Sequence, residues 1–321
     1  MTTTVHPAEG TSPETSPPPP KKPSRIGVGA HLHKTLTTKF VVWTIVALWS
    51  IPTLGLLVSS IRPERKVKTT GWWTFFVDHQ TTLQNYRDVL ADRASGGQMG
   101  AYFLNSIKIT IPGTVVPVVI AAFAAYAFSW MTFKGRDWLF VAVVALMVVP
   151  LQMALIPLLQ LFTGGAHIGS IPVIPDLGLS NSVATIWIAH TIFALPLAVF
   201  LLRNFIGSLP RELMEAARVD GASHLVTFVR VVLPLAIPAI ASLVIFQFLW
   251  VWNDLLVGLV FGAGKATAPM TVRLAELSGD RGQDWQRLTS GAFVTMIVPL
   301  IVFFSLQRYF VRGLLSGSVK S

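Results

Sequence analysis

The chain has 321 residues, of which 52% are hydrophobic and 12% are charged, whereas soluble domains carry about a quarter charged residues. This composition indicates a membrane protein, and the absence of cysteine excludes disulfides, thiolate catalysis and thiolate metal sites. The net charge of +10 does not indicate nucleic-acid binding, because the Lys and Arg residues lie between apolar runs rather than in one patch.

The N-terminal segment, residues 1–36, is polar and rich in proline, with a run from Pro17 to Pro20. Such a segment buries too little apolar surface to offset the entropy lost on ordering, so we predict a disordered cytoplasmic tail. The first apolar run begins at Phe40, directly after Lys39, and is typical of a signal anchor rather than of a cleaved leader. The remaining residues, 37–321, are expected to form one membrane domain.

Six apolar segments each reach the length of roughly 20 residues that a membrane-spanning helix needs. They are Phe40–Ile61, Ile109–Met131, Trp138–Phe162, Val183–Leu202, Leu235–Gly262 and Ser290–Phe310. Several contain proline, which packed membrane helices tolerate because neighbouring groups satisfy the freed carbonyls. The sequence therefore predicts an all-α membrane protein with six transmembrane helices.

The distribution of Lys and Arg between these segments predicts their orientation. The turn after the second span contains Lys134 and Arg136, and the loop after the fourth span contains four arginines, whereas the loop 163–182 contains no basic residue of either type. Two longer segments on the other side, 62–101 and 263–289, contain both basic and acidic residues and therefore count less as evidence for the orientation. Because short basic loops stay on the cytoplasmic side, we predict that both termini and the loop after the fourth span are cytoplasmic.

A polar stretch, residues 203–234, separates the fourth and fifth spans. Ser208 and Pro210 are suitable residues for a helix start, and Gly221 is suitable for a left-handed helix stop, so a short helix is predicted between them. After the glycine, apolar residues recur at helical spacing up to the fifth span: Leu225, Phe228 and Val232.

The predicted short helix combines a shallow surface with negative charge. Ala216 and Ala217 keep its surface shallow, and Glu215 and Asp220 supply carboxylates that can meet a basic or amide-rich groove. These features favour docking into a cleft of another protein. An ordinary amphipathic helix on the lipid surface would also explain them, and for an arbitrary membrane loop that alternative is the commoner one.

The sequence lacks the motifs typical of phosphate binding, metal binding and nucleophilic catalysis. The segment Gly262-Ala-Gly-Lys-Ala266 lacks the first glycine and the final hydroxyl of a phosphate-binding loop. The sequence contains neither a His-Glu-x-x-His metal motif nor a Gly-x-Ser-x-Gly nucleophile motif. His190, within the fourth span, is expected to be a helix-packing hydrogen bonder rather than a ligand. The chain is therefore predicted to be a transporter subunit rather than an enzyme.

A few polar side chains within the spans are candidates for a translocation path. Asp254 lies beside Trp250 and Asn253, and aromatic faces with polar neighbours suit the apolar and hydroxyl surfaces of a sugar. An aromatic belt at the outer interface explains the same residues equally well. Gln152 and Gln247 are further candidates, although hydrogen bonding between helices is the commoner role of such residues.

The spacing of the polar loop resembles the signature of the permease subunits of ABC importers. Glu215-Ala-Ala is followed after three residues by Gly221, and after nine more by Val231-Val-Leu-Pro234. In that family this loop docks on the cytoplasmic ATPase subunit. The resemblance implies a coupling helix between spans four and five whose contact residues are Glu215, Ala216, Ala217, Asp220, Gly221, Leu233 and Pro234.

Further motifs resemble the carbohydrate branch of that family, and in particular the second permease of maltose-type systems. They are Leu83-Gln-Asn-Tyr86, Phe103-Leu-Asn-Ser106, Ala124-Ala-Tyr-Ala127, Trp252-Asn-Asp254 and Gln307-Arg-Tyr-Phe-Val-Arg-Gly313. Asp220-Gly-Ala-Ser223 and Gly282-Gln-Asp-Trp285 are most similar to α-glucoside and glucosylglycerol importers. The implied function is import of an oligosaccharide, with an α-glucoside as the expected substrate.

The same resemblance implies the partners and the location. The chain would work in the bacterial plasma membrane with a second homologous permease, a dimer of ATPase subunits that hold ATP and Mg²⁺, and an extracytoplasmic sugar-binding protein. It would hold no cofactor itself. The loop between the last two spans would contact the binding protein through Arg273, Glu276, Asp280 and Trp285.

Two alternatives come from other functional classes. An ion-coupled secondary sugar carrier would need ionisable residues deep within the spans, and these are almost absent. A membrane-bound glycosyl-handling enzyme would need paired carboxylates near a groove. Its only outer candidates are Glu276, Asp280 and Asp284, whose helical spacing is equally typical of a solvated face.

Overall fold

The computed structural model describes residues 2, 28–91, 99–169, 171–180, 182–262, 264, 266–277 and 284–318. The chain divides into two units, residues 1–53 and 54–321. In the first unit the described residues are residue 2 and most of helix α1 (Val28–Ser60), which begins well before the predicted Phe40. The predicted tail, residues 1–36, lies mainly outside the described residues.

The second unit is helical apart from one small hairpin, as far as the chain is described, which confirms the predicted fold class. After the end of α1 its helices are α2 (Glu64–Thr69), α3 (Gln84–Ala91), α4 (Met99–Trp130), α5 (Arg136–Ala145), α6 (Leu151–Gly164), α7 (Val183–Gly207), α8 (Arg211–Val219), α9 (His224–Thr227), α10 (Leu233–Asn253), α11 (Leu256–Phe261), α12 (Met270–Leu277) and α13 (Trp285–Ser318). Short 3₁₀ helices occupy Trp72–Phe76 and Leu146–Val148, a π-helical turn occupies Phe228–Val232, and the antiparallel strands are β1 (Ala166–Ile168) and β2 (Ile171–Ile174).

Within the described residues, five helical segments are long and apolar enough to cross a bilayer. They are Leu36–Ser60, Met99–Trp130, Val183–Gly207, His224–Asn253 and Trp285–Gln307. A sixth crossing exists if the bent pair Arg136–Val148 and Leu151–Gly164 counts as one span. The exact number of six therefore stays a prediction.

The predicted third span, Trp138–Phe162, is wrong as a continuous helix. Its two halves meet at an angle of 104°. Val149 is extended with ψ 116°, and Pro150 follows it with ψ 130°. Proline disfavours helical geometry in the residue before it and cannot donate an N–H to the preceding turn, so the chain bends at this point.

The predicted fifth span, Leu235–Gly262, is also interrupted. Helix α10 ends at Asn253, because Asp254 is extended with ψ 132°, and the short helix α11 follows. The break falls at the polar pair Asn253 and Asp254, which a hydropathy average over about 20 residues does not resolve within the apolar segment.

Helix α4 begins at Met99 instead of the predicted Ile109 because polar residues in its first turns have partners. The Asn105 side-chain amide donates to the Ala268 carbonyl at 3.1 Å, and the Ser106 hydroxyl accepts from the Met270 N–H at 2.8 Å. Further along, α4 packs against α7 and buries the small residues Ala121, Ala125 and Ala189, among others. Small side chains allow this close approach, which is typical of membrane helix pairs.

Candidate coupling segment and translocation path

Helix α8 is the short helix predicted between spans four and five. Pro210 occupies the position before its first residue with φ −58° and ψ 135°, and Glu212 lies in the first turn, where the helix dipole favours a negative charge. The predicted start at Pro210 is confirmed. Ser208 has a different role, because it ends helix α7 and its hydroxyl donates to the Phe205 carbonyl at 2.7 Å.

Gly221 ends α8 as predicted, in the left-handed conformation with φ +72°. The Gly221 N–H donates to the Arg218 carbonyl at 3.0 Å, and the Ala222 N–H donates to the Ala217 carbonyl at 2.9 Å. This pair of bonds is the Schellman arrangement, which satisfies the last helical carbonyls and turns the chain sharply. The stop therefore sets the angle at which α8 meets the next helix.

The two faces of α8 differ in chemistry. Met214 and Ala217 are buried, whereas Glu215 and Ala216 are exposed. Residues three apart lie on the same side of a helix, so the inward side is apolar and the outward side combines a carboxylate with a methyl group. Of the two predicted small residues, only Ala216 lies on the exposed surface.

After Gly221 the chain enters the fifth span through an irregular turn. Ser223 caps α9, because its hydroxyl accepts from the Val226 N–H at 3.4 Å. The π-helical turn Phe228–Val232 follows and leads directly into α10. Of the three apolar residues predicted at helical spacing, Phe228 and Val232 are buried, whereas Leu225, in the turn before the π helix, is exposed.

The turn at Phe228 is attached to helix α4. The Phe228 ring lies 4.7 Å from the ring of Phe123 and 5.3 Å from that of Tyr126, measured between centroids. The Tyr126 hydroxyl is also 3.1 Å from His224 Nδ1. Aromatic pairs at such separations stabilise by about 0.5–1.5 kcal/mol beyond their buried area. The segment therefore contacts α4 through its aromatic side chains and leads directly into α10.

A cavity of about 680 Å³ lies beside α8 and α9. Its lining includes Ala216, Ala217, Asp220, Gly221, Val226 and Arg230. The alanines and the glycine keep this cavity open, and Asp220 and Arg230 place one acid and one base in its lining. Leu233 and Pro234, the remaining predicted coupling residues, are half-buried and exposed respectively, at the start of α10.

The predicted path residues on α6 and α10 are not brought together into one site. Gln247 is buried and its amide donates to the Gly113 carbonyl of α4 at 3.0 Å, which is a bond between helices. Asn253 is exposed, and its amide donates to the Leu249 carbonyl of its own helix at 2.8 Å. Gln152 is exposed on α6. Gln247 and Trp250 line one small cavity of about 100 Å³ between α7 and α10. Trp250 also shares a neighbour with Asp254.

That neighbour is His190 of α7, which is 1% exposed. Its Nε2 lies 3.7 Å from Asp254 Oδ2, and its ring lies edge-on to that of Trp250 at 5.7 Å. The Asp254 carboxylate also accepts from the Val257 N–H at 2.8 Å and the Gly258 N–H at 3.3 Å. The acid therefore stabilises the start of α11 at the break in the fifth span.

We expect Asp254→Ala to loosen α11, because two backbone N–H groups lose their acceptor. Loss of such a cap costs about 1 kcal/mol, which lowers the unfolding midpoint by on the order of 2 °C. Asp254→Asn keeps one acceptor oxygen and should lower the midpoint less. Thermal unfolding of the purified variants, followed by tryptophan fluorescence, measures both, and equal midpoints for Asp254→Ala and the unmodified chain would contradict the capping role.

The predicted outer contact residues lie on and near α12. Arg273 Nη1 is 3.0 Å from Glu276 Oε2, and its guanidinium lies over the Tyr102 ring at 5.8 Å. Glu276 and Trp285 are exposed. Asp280 lies outside the described residues. The start of α12 is fixed by the bond from Met270 to α4, so this surface is presented on a rigid support.

Sequence reasoning missed the contacts that connect the coupling segment with the membrane helices. Tyr126 lies within the quoted Ala124–Ala127 motif and His224 lies directly after Ser223, but neither was singled out. Their pairing joins positions far apart in the sequence and is visible only in the fold. The pairing of His190 with Asp254 has the same origin, although a histidine and an aspartate in adjacent spans offered a partial signal.

Comparison with known proteins identifies the family. Residues 113–316 match the family described as binding-protein-dependent transport system inner membrane component. The osmoprotective compounds uptake permease protein GgtD of Synechocystis sp. is 54% identical over 291 residues, which cover 89% of this chain and 92% of that protein. The alpha-glucoside transport system permease protein AglG of Rhizobium meliloti is 53% identical over 266 residues, covering 82% and 67% respectively.

The fold is similar to that of a solved transporter. A chain in the crystal structure of a bacterial alginate ABC transporter, in complex with an alginate pentasaccharide-bound periplasmic protein, has a TM-score of 0.60 at 15% identity. The match covers 86% of this chain and 92% of that chain. This chain belongs to the family of inner membrane components of binding-protein-dependent transport systems and is a permease subunit.

Proposed function

We propose that this permease imports an α-glucoside or a related glucosyl compound. The observation that carries the proposal is the similarity, at 53–54% identity over most of the chain, to permeases named for alpha-glucosides and for osmoprotective compounds. The sequence motifs Asp220–Ser223 and Gly282–Trp285 support the same substrate class. The sugar crosses the membrane without chemical change.

The proposed driving force comes from a separate ATPase dimer, which binds ATP and Mg²⁺. Glu215, Ala216, Ala217, Asp220 and Gly221 form the docking surface, and the groove beside α8 accepts a partner side chain. The Schellman stop and the aromatic contacts of Phe228 support this role, because they connect the docking surface rigidly with α4 and α10. Closure of the ATPase dimer then biases the helices between two arrangements.

The proposed orientation places both termini and α8 in the cytoplasm and α12 outside. A second homologous permease completes the path, which includes Gln152, Gln247, Trp250, Asn253 and Asp254. The extracytoplasmic binding protein contacts Arg273, Glu276, Asp280 and Trp285. Glu276 and Trp285 are exposed, and the hydrogen bond from the Met270 N–H to Ser106 fixes the start of α12 to α4. Both observations support such a contact.

Uptake of radiolabelled sugars by a deletion strain tests the substrate class. We expect the strain to lose uptake of an α-glucoside such as trehalose and to retain uptake of a β-galactoside such as lactose. A copy of the gene on a plasmid should restore the lost uptake. Unchanged α-glucoside uptake in the deletion strain would contradict the proposed substrate class without affecting the family assignment.

A further inference from the structure

A short 3₁₀ helix, Trp72–Phe76, presents two large aromatic side chains on one side. Trp73 is 64% exposed and Phe76 is 66% exposed, and Val77 directly after them is 88% exposed. Side chains three residues apart are eclipsed in a 3₁₀ helix, so Trp73 and Phe76 form a single apolar face. Trp72 and Phe75 are half-buried on the other sides.

This aromatic face is held by a buried arginine. Arg62 is 2% exposed, and its guanidinium donates to the Gly71 carbonyl at 3.0 Å, the Thr70 hydroxyl at 2.6 Å and the Thr74 hydroxyl at 3.0 Å. The Asn85 amide in turn donates to the Arg62 carbonyl at 2.8 Å. The 3₁₀ helix is therefore fixed to the end of α1, and its exposed side chains are presented by a rigid element.

The position of the 3₁₀ helix along α1 places it at the membrane boundary. A Cβ atom added at Gly55 would lie 2.9 Å from Trp72 Nε1, so the indole packs directly on this glycine. Gly55 lies within the candidate span Leu36–Ser60, whose 25 residues extend about 37 Å at 1.5 Å per residue. The hydrocarbon core is about 30 Å thick. From this length we expect the last turns of α1, and the helix packed on Gly55, near the zone where hydrocarbon meets headgroups.

The charges beside the aromatic face suit this zone. Arg65 of α2 is exposed, and long basic side chains reach from an apolar surface toward headgroups. Lys66 pairs with Asp78, and this hydrogen bond lowers the pKa of the Asp78 carboxyl below its usual value. Lys68 pairs with Glu64. Lys68 also lies 3.9 Å from Asp284. Each of these carboxylates therefore has a lysine beside it, which reduces its repulsion of lipid phosphates.

We propose that Trp73, Phe76 and Val77 form an interfacial anchor that inserts into the headgroup zone of the leaflet in which α1 ends. The occupant of this surface is lipid, because the face is continuous with a membrane span and is rich in the aromatic residues that concentrate at membrane interfaces. The anchor fixes the depth of the segment that follows α1. This proposal does not depend on the identity of the transported sugar.

The lack of cysteine in the chain allows a site-specific test. Phe76→Cys is labelled with a nitroxide in the assembled transporter in lipid nanodiscs, and collisions with oxygen, which partitions into lipid, are compared with those of a water-soluble nickel complex. Arg87→Cys, on an exposed position of α3, is the control. We expect the label at position 76 to favour oxygen and the control to favour nickel.

Two results would overturn the anchor. One is a label at position 76 that collides with nickel as often as the control, which would mean that the face is in water. The other is a label shielded from both reagents, which would mean that a protein partner covers it. Val77→Cys provides the same measurement if the variant at position 76 fails to fold.

Discussion

Glu215→Lys is expected to abolish transport while leaving insertion into the membrane unchanged. The side chain is exposed on α8, so the substitution reverses a charge on the proposed docking surface without disturbing the core. In the helix the new lysine would lie near Arg211 and Arg218, and like charges at this spacing cost only about 0.2–0.5 kcal/mol each. Loss of a charge paired across an interface costs about 2–5 kcal/mol, which corresponds to docking weakened on the order of 30-fold to several thousand-fold.

A matched substitution separates docking from general effects of charge. Asp137→Lys likewise reverses the charge of an exposed carboxylate on the predicted cytoplasmic side, in the first turn of α5 beside Arg136. We expect this control to retain sugar uptake and co-purification with the ATPase subunit, both of which Glu215→Lys should lose. If the Glu215 variant transports as well as the control, α8 is not the ATPase docking element.

Gly221→Val tests the sharp stop that follows the docking surface. The backbone at Gly221 has φ +72°, and a Cβ atom there would meet nothing within 4 Å, so the cost comes from the backbone alone. A residue other than glycine in this region costs about 1–3 kcal/mol, and β-branched residues are the least tolerated. We expect the chain to insert normally but α8 to lose its fixed angle, with uptake reduced about tenfold or more.

The chain offers a control with the same backbone conformation. Gly135, at the start of α5, has φ +81° and equally open surroundings. Gly135→Val should cost similar stability in thermal unfolding but retain uptake. Gly221→Asn should restore part of the activity, because asparagine adopts the left-handed conformation more readily than valine. Equal loss of uptake in both valine variants would show that stability, rather than coupling geometry, limits transport.

The sequence predicted the positions of the apolar segments well, but not the exact helix ends, bends and breaks within them. The fourth span was predicted to begin at Val183, where helix α7 does begin, because Ser182 accepts the Ala184 N–H as a cap. Its end was underestimated: the helix continues through Arg203, whose guanidinium lies over the Phe140 ring at 4.3 Å. This cation–π contact stabilises the arginine within the helix, whereas a hydropathy scale counts its charge only as unfavourable for a span.

Prediction from the sequence failed mainly for features that depend on tertiary contacts. The bend at Pro150 and the break at Asp254 both lie within long apolar segments. At the break, the Asp254 carboxylate lies beside His190, a residue distant in the sequence. The short helix α8 was located from local signals, namely Pro210 and Gly221, because caps and stops act within a few residues. The π turn and its contacts with α4 depend on packing between remote segments, which a single sequence does not reveal.

Cross-linking from α8 to the ATPase subunit tests the account most directly. Ala216→Cys places a single thiol on the exposed face of α8 in a chain that has no other cysteine. In the assembled transporter we predict a short-range cross-link from this thiol to the ATPase subunit, and protection of the thiol in intact cells from a membrane-impermeant reagent added outside. A thiol that the external reagent labels, or that fails to cross-link in a transport-competent complex, would contradict the assignment of this segment as the coupling element.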